Sequence, residues 1–135
     1  MRNPAYCLQC DDGTLLVDEC KDVTLTIDTL CASVAGVSGW HCPVCGDIEF
    51  TDEPSSRRYS DALAALRVRA DEFRRAEIRA TRKKLGLKQA EAGRLFGGGI
   101  NAFSEYERGK TQPHKSTVLL LRLLNKHPEL LGEVR

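Results

Sequence analysis

The sequence predicts an α+β protein with two small domains, residues 1–69 and 70–135. In the first half, two Cys-x-x-Cys pairs enclose segments in which apolar and polar residues alternate, and apolar helical material follows them. That arrangement is typical of a small β-sheet with a bound metal ion and one helix. In the second half, apolar residues recur at helical spacing between glycine stops, which predicts an all-α domain of five helices.

The charge distribution supports the same division. The whole chain has a net charge of +1. Residues 1–70, however, carry 6 basic and 11 acidic residues, a net charge of −5, whereas residues 71–135 carry 14 and 8, a net charge of +6. A basic half suits a polyanion and an acidic half does not, so the two halves are expected to bind different partners.

The expected location is the cytoplasm, with no membrane partner. The sequence has neither an apolar run of membrane-spanning length nor a signal-peptide pattern. Thiols stay reduced in the cytoplasm, so the six cysteines suggest metal ligands before disulfides.

The two Cys-x-x-Cys pairs predict one structural Zn²⁺ site with the ligands Cys7, Cys10, Cys42 and Cys45. A two-residue spacer lets both sulfurs of a tight turn face one ion, and four thiolates complete a closed tetrahedral shell. Gly46 permits the left-handed backbone that brings amide groups towards the sulfurs. The 31 residues between the pairs include strand-like segments, namely 15–17 and the alternating run 23–28.

Other readings of the cysteines are weaker. A redox Cys-x-x-Cys needs only one pair and a surrounding βαβ pattern, which is absent, whereas iron in a rubredoxin-like site also suits four thiolates. A metalloenzyme or electron carrier would be coloured if it held iron. A closed shell leaves no room for substrate, and no catalytic triad or carboxylate pair stands at an interpretable spacing. We therefore expect no enzymatic activity.

The residues around the ligands have less definite roles. Cys20 and Cys31 are expected to be buried or half-buried, as free cysteines commonly are. His41 and Trp40 are expected to pack on or line the small sheet, although an exposed Trp40 would be a candidate anchor for a protein partner.

The joint between the domains predicts a helix that starts at Ser60, the candidate N-cap, after the turn-rich segment 51–56. Leu63 and Leu66 would pack on the zinc unit. The charged segment 67–73 contains no Pro or Gly. The sequence therefore leaves two possibilities, a hinge near residues 67–71 or a helix that continues through the segment.

The second half predicts helices near residues 71–85, 88–96 and 129–134, with glycine turns at Gly86 and at residues 97–99. A further short helix enters from the second of these turns and stops at Gly109, and another starts near Ser116 and carries the leucine run 118–124. Candidate core residues are Phe73, Ile78, Leu85, Ala92, Leu95, Phe96, Ile100, Phe103 and Tyr106. The leucine-rich helix after Ser116 is apolar on more than one face, which indicates either a central core helix or a dimer seam.

The helix after the three glycines is the candidate DNA-recognition element. Two helices joined by a glycine turn inside a basic unit form a helix-turn-helix arrangement. An outward Asn101 can pair with adenine, and Ser104, Glu105 and Arg108 fall on the same side. Basic residues at Arg82–Lys84, Lys88, Lys110 and Lys115 suit phosphate contacts, and the amide of Gln89 could bond a phosphate or a neighbouring side chain.

These motifs carry a resemblance. Gly-Leu-Lys-Gln at 86–89, followed by Glu-Tyr-Glu-Arg-Gly at 105–109, resembles the Cro/repressor-like helix-turn-helix. The runs 96–104, 112–114 and 127–131, behind the two cysteine pairs, are similar to the MqsA (YgiT-type) antitoxins of bacteria. The resemblance implies a zinc domain that neutralises an RNA-cleaving toxin. It also implies a C-terminal domain that dimerises, binds a palindromic operator and reads bases through Asn101. Glu107 and Arg82 would form a structural ion pair.

Two departures from the family pattern limit the transfer. The family commonly has Arg where this chain has Glu105, so the operator sequence cannot be carried over, since Glu accepts from cytosine N4 whereas Arg favours guanine. Lys88 replaces the usual Thr or Ser cap, which removes a bond worth about 1 kcal/mol. The rival function is a zinc-containing helix-turn-helix transcriptional regulator without a toxin partner.

Overall fold

Three antiparallel strands and five α-helices follow one another along residues 5–135, the part of the chain that the computed structural model describes. They divide into two units that meet between Val68 and Arg69. The first unit contains the sheet and the second is helical, so the predicted α+β class is confirmed. Among residues 5–135, no helix is both long enough and apolar enough to cross a membrane.

The sheet of the first unit consists of β1 (Val17–Ile27), β2 (Leu30–His41) and β3 (Ile48–Phe50), in the order β1-β2-β3. Asp28, with φ +54°, lies in the tight turn between β1 and β2. The β1–β2 register shifts between Lys21 and Val23, where the Asp22 carboxylate accepts the Gly36 N–H at 2.9 Å. A separate antiparallel bridge joins Tyr6 and Leu15 ahead of the sheet.

One face of the sheet forms the core of the first unit. Leu25, Val34 and Val37 are buried there with Leu66 of the following helix, and Leu63 packs against the same cluster. The prediction that Leu63 and Leu66 pack on this unit is therefore confirmed. Alternation of side chains along each strand places these apolar residues on one side and Thr24 and Thr26 on the other.

Cys20 and Cys31 are both exposed, so their predicted burial is wrong. Cys31 stands opposite the exposed Thr26, and Cys20 stands opposite Ser38. Opposed residues of an antiparallel pair share a face, and the face that carries these two cysteines is the one turned away from the core. Strand register therefore outweighs the general tendency of cysteine to be buried.

A single helix, α1 (Glu53–Lys84), replaces the two helices predicted around the joint. It starts seven residues before Ser60 because the carboxylate of Asp52 accepts the backbone N–H of Ser55 at 2.7 Å and acts as the cap. This N–H also lowers the pKa of Asp52. Residues 67–71, where the sequence left a hinge open as one of two possibilities, are helical throughout. Because the helix does not break there, the predicted start of a second helix at Asp71 is wrong.

The second unit adds α2 (Gln89–Phe96), α3 (Ala102–Arg108), α4 (Lys115–Lys126), a 3-10 turn (Pro128–Leu130) and α5 (Leu131–Val134) to the end of α1. Its core contains the buried residues Ile78, Leu87, Ala92, Ala102, Phe103 and Leu121. The partly buried residues Leu85, Leu95, Phe96 and Tyr106 pack against this core, as predicted.

Two predicted core residues of the second unit are exposed, namely Phe73 and Ile100. Ile100 precedes α3 and lies in the turn after the three glycines, so helical spacing does not apply to it. Phe73 lies on an exposed side of α1, whereas Ala70 and Ile78 are buried. The prediction failed because Phe73 lies five residues before Ile78, about 140° around the helix, so the two side chains cannot share one buried side.

Gly93 allows α2 and the turn before α3 to approach closely. A Cβ at this position would collide with the backbone carbonyl oxygen of Gly99. The contacted oxygen belongs to the backbone and cannot swing aside as the end of a flexible side chain can, so the close approach requires glycine at position 93.

We expect Gly93→Ala to lower the free energy of unfolding by about 1–3 kcal/mol, because the new methyl group overpacks a backbone contact. Chemical denaturation followed by circular dichroism measures this change. Gly132→Ala in α5 is the matched control, since nothing lies within 4 Å of the corresponding Cβ position. Equal losses for the two variants would contradict the close-approach argument.

Candidate metal centre and nucleic-acid interface

Two short turns bring the four predicted ligands of the first unit together. In each turn the backbone N–H of the second cysteine donates to the sulfur of the first, Cys10 N to Cys7 Sγ at 3.5 Å and Cys45 N to Cys42 Sγ at 3.4 Å. Gly46, with φ +80°, continues the second turn and donates its N–H to the Cys42 carbonyl at 3.2 Å. The left-handed backbone expected at Gly46 is therefore present.

The four sulfurs match the spacing of a tetrahedral metal site. All lie within 4.8 Å of one another, with Cys7 and Cys45 at 3.5 Å and Cys10 and Cys42 at 3.8 Å. A tetrahedron with metal–sulfur bonds of about 2.3 Å has sulfur–sulfur edges of about 3.8 Å. The cluster can therefore hold one metal ion with a closed shell of four sulfurs.

Electrostatics in the cluster explain why it suits a cation. The backbone N–H of Cys45 lowers the pKa of Cys42 to about 6. Burial, together with the neighbouring sulfurs of Cys45 and Cys42, raises the pKa of Cys10 to about 12. One thiol thus ionises readily, whereas a second negative charge beside it is unfavourable. A bound cation removes that repulsion and favours all four thiolates.

His41 and Trp40 are not among the four clustered ligands. His41 is buried, and its Nε2 lies 3.0 Å from the Val37 carbonyl oxygen, so that ring nitrogen is used within the sheet. Trp40 is half-buried against the cluster formed by Ala5, Cys7, Leu16 and Cys42. Trp40 therefore packs beside two of the predicted ligands and is not an exposed anchor.

Four predicted DNA-contacting residues share one side of α3. Asn101, at its N-terminus, and Arg108, at its C-terminus, are exposed, and Ser104 and Glu105 are half-buried between them. Phe103 is fully buried on the opposite side. The Asn101 side chain makes no capping hydrogen bond, so its amide is available to a ligand.

An ion pair holds α3 against α1. Arg82 donates through Nε and Nη2 to both carboxylate oxygens of Glu107, at 2.9 and 2.8 Å, and through Nη1 to the Leu87 carbonyl at 2.9 Å. Both side chains are almost fully buried. Gln89 Nε2 also donates to Glu107 at 3.3 Å. Of the two partners that the sequence allowed for this amide, a phosphate or a neighbouring side chain, the structure shows a side chain. The network orients α3 and leaves neither Arg82 nor Glu107 facing outward.

Three further predicted phosphate contacts are exposed lysines next to helix ends. Lys88 precedes α2, Lys110 follows α3, and Lys115 is the first residue of α4. The Lys88 side chain makes no capping bond, but its backbone N–H donates to the Glu91 carboxylate at 3.3 Å, which is the reciprocal bond of a capping box.

Sequence reasoning missed two residues beside α3. The Arg75 side chain occupies the space that a Cβ at Gly109 would need, so it covers the C-terminal end of the helix. Thr111 donates its hydroxyl to Glu105 Oε2 at 3.4 Å. For Arg75, the only signal in the sequence was the glycine at position 109, which leaves room for a close neighbour. Nothing in the local pattern indicated Thr111.

Helix α4 has features of both a central core helix and a dimer seam, the two alternatives that its leucine run predicted. Val118, Leu121 and Leu124 are buried in the second unit, whereas Leu119 and Leu123 are about half exposed. Residues four apart lie on the same side of a helix, so the two exposed leucines form one apolar strip. The helix is therefore a core element that also presents a second apolar surface.

Comparison with known proteins identifies the family of the chain. A family model described as the antitoxin component of a bacterial toxin–antitoxin system, MqsA, matches residues 5–135. The chain is also 41% identical to Antitoxin MqsA of Escherichia coli strain K12 over 130 residues, which cover 96% of this chain and 98% of that protein. Antitoxins of this kind are regulators and not enzymes. A match of this extent, over a chain with four clustered sulfurs and a helix-turn-helix, shows that the protein belongs to the MqsA antitoxin family.

Proposed function

We propose that the two units of this antitoxin have different binding functions. The metal-bound unit binds and neutralises an mRNA-cleaving toxin, and the helical unit binds a palindromic operator as a homodimer and represses its own operon. The observation that carries the DNA-binding half is the common exposed side of α3 with Asn101, Ser104, Glu105 and Arg108. Family membership carries the toxin-binding half.

The ion is proposed to be a single structural Zn²⁺ held by Cys7, Cys10, Cys42 and Cys45. Four thiolates at these separations suit zinc, which accepts tetrahedral geometry without redox chemistry. A cytoplasmic location keeps these thiols reduced and available to the ion. The small sheet has a modest core, so the ion would supply a large part of the stability of the first unit.

Replacing Cys42 by Ser should abolish stoichiometric zinc binding, because serine is a poor zinc ligand and leaves the shell with three thiolates. Elemental analysis of the purified protein measures the metal content, with about one zinc per chain expected for the wild type. Cys20→Ser is the matched control, since Cys20 is exposed and lies outside the cluster. Full metal content in the Cys42 variant, or iron in the wild type, would refute the assignment.

Docking on DNA is proposed to place α3 in the major groove. Asn101 would pair with adenine, while Ser104, Gln89, Arg108 and the exposed lysines at 88, 110 and 115 would contact the backbone or base edges. The apolar strip of Leu119 and Leu123 supports a homodimer through the second unit. Two-fold symmetry then requires half-sites separated by about 34 Å or a multiple of it.

Asn101→Ala should weaken binding to the operator by about 1–3 kcal/mol and relax base choice at one position of each half-site. Fluorescence anisotropy with duplexes from the upstream region of the gene measures both effects. Asn125→Ala is the control, because this exposed asparagine lies near the end of α4, away from α3. Unchanged affinity and unchanged base preference for the Asn101 variant would remove this residue from the interface.

The proposed toxin-binding surface lies at the metal-bound end of the first unit. Tyr6 and Leu15 face each other across an antiparallel bridge, so their side chains share a side, and Val17 follows two residues later. Their exposed fractions are 49%, 51% and 45%. Residues 1–70 carry a net charge of −5 around these apolar side chains. An RNA-cleaving toxin needs a basic surface for its substrate, which such a surface complements.

Leu15→Asp should reduce rescue of growth when the antitoxin is co-expressed with the toxin encoded beside it, because a charge would be buried in the complex. Zinc content should remain unchanged. Val68→Asp, which changes another exposed apolar residue, is the control and should retain rescue. Full rescue by the Leu15 variant would exclude this surface, whereas failure of the wild type to rescue would favour a regulator without a toxin partner.

A further inference from the structure

The side chain of Glu105 stands at a base-reading position of α3. It lies four residues after Asn101 on the same side of the helix, and the helical rise over four residues is about 6 Å. Successive base pairs of DNA are about 3.4 Å apart. A helix that places Asn101 against one base pair therefore brings residue 105 to a pair one or two steps away.

The carboxylate of Glu105 is held on one side and open on the other. Thr111 Oγ1 donates to Oε2 at 3.4 Å, and the Lys110 N–H donates to the Glu105 carbonyl at 2.9 Å, so the loop after α3 supports both ends of the residue. Among residues 5–135, no donor pairs with Oε1. The side chain is thus oriented and retains one acceptor oxygen for a ligand.

An acceptor with a negative charge has few favourable targets on DNA. Phosphate oxygens repel it, and the edges of guanine and thymine in the major groove present acceptors. Adenine presents its N6 donor beside the N7 acceptor, which suits an amide better than a carboxylate. Cytosine presents the N4 amino group as a donor with no neighbouring acceptor on its own edge. The carboxylate therefore selects cytosine.

We propose that Glu105 reads cytosine through the N4 amino group, one or two base pairs from the pair read by Asn101, and that Thr111 is its positioning residue. This inference rests on the proposed DNA-binding function and specifies part of its ligand. The half-site of this protein accordingly contains an adenine and a cytosine at neighbouring or next-neighbouring positions.

A second consequence follows from the charge of Glu105. Because the carboxylate lies near phosphates in every DNA complex, it weakens binding to all sequences and recovers that loss only at cytosine. Glu105→Gln should therefore bind non-specific DNA more tightly than the wild type does and discriminate less strongly against the loss of cytosine.

The test is selection of bound duplexes from a library of randomised DNA, followed by competition titrations with single-base changes. For the wild type, replacing the cytosine should weaken binding by about fivefold or more. Glu105→Gln should move the preference at that position from cytosine to adenine, and Glu105→Arg should move it to guanine. Glu72→Gln, an exposed glutamate of α1, is the charge-matched control and should keep the wild-type preference.

Thr111 provides an independent readout. Thr111→Val removes the hydroxyl and should reduce the discrimination for cytosine without changing the preference at the adenine position. Thr111→Ser should restore it, because the serine hydroxyl can donate to Oε2 as well.

The experiment distinguishes failure of cytosine recognition by Glu105 from failure of DNA binding itself. If the wild type enriches a sequence but the preference does not change with residue 105, the cytosine assignment is overturned and DNA binding stands. If the wild type enriches no duplex above the starting library, the DNA-binding function itself is overturned, and the cytosine assignment with it.

Discussion

The clustering of four cysteine sulfurs governs the path of the first unit. Cys7 and Cys45 are 38 positions apart in sequence, yet their sulfurs lie 3.5 Å from each other. The β1–β2 hairpin spans the interval and returns the chain to the cluster, and the N–H groups of the two turns point at the sulfurs. Without a cation the crowded thiols oppose ionisation, as the raised pKa of Cys10 indicates. An ion bound by these four sulfurs would therefore couple metal binding to the folding of this unit.

The helical unit relies on a buried charge network for the orientation of α3. Arg82 and Glu107 are almost fully buried, and each would be costly there without the other. Their fork-shaped contact, with Gln89 as an additional donor, ties α1 and α2 to α3. Gly93 allows the turn before α3 to approach α2. These contacts fix which side of α3 is outward, so that Asn101 and Glu105 are positioned by interactions made on the other side of the helix.

The continuity of α1 shows where local patterns were insufficient. The segment 67–73 contains neither Pro nor Gly and is charged, so it is compatible with a helix and with an exposed joint alike. Capping decided the start, because Asp52 has the Ser55 N–H within reach whereas Ser60 lies inside the helix. Leu66 is buried in the first unit and Ile78 in the second, so α1 supplies a core residue to each. Phe73 lies about 140° around the helix from Ile78 and is therefore not on the side that Ile78 buries.

The amino-acid sequence alone determined the ligand set, the small sheet, the helix-turn-helix and the family, because each depends on residue type at short spacing. Cysteine pairs, the alternation of apolar and polar residues, and glycines at helix ends are local patterns that can be recognised without a structure. Only the tertiary structure decided that Cys20 and Cys31 are exposed, that Gln89 donates to Glu107, and that Thr111 supports Glu105. These outcomes depend on strand register and on contacts between distant elements. The residue types alone leave the exposure and the partners of these side chains open. Packing decides them, because the residues they contact are distant in the sequence.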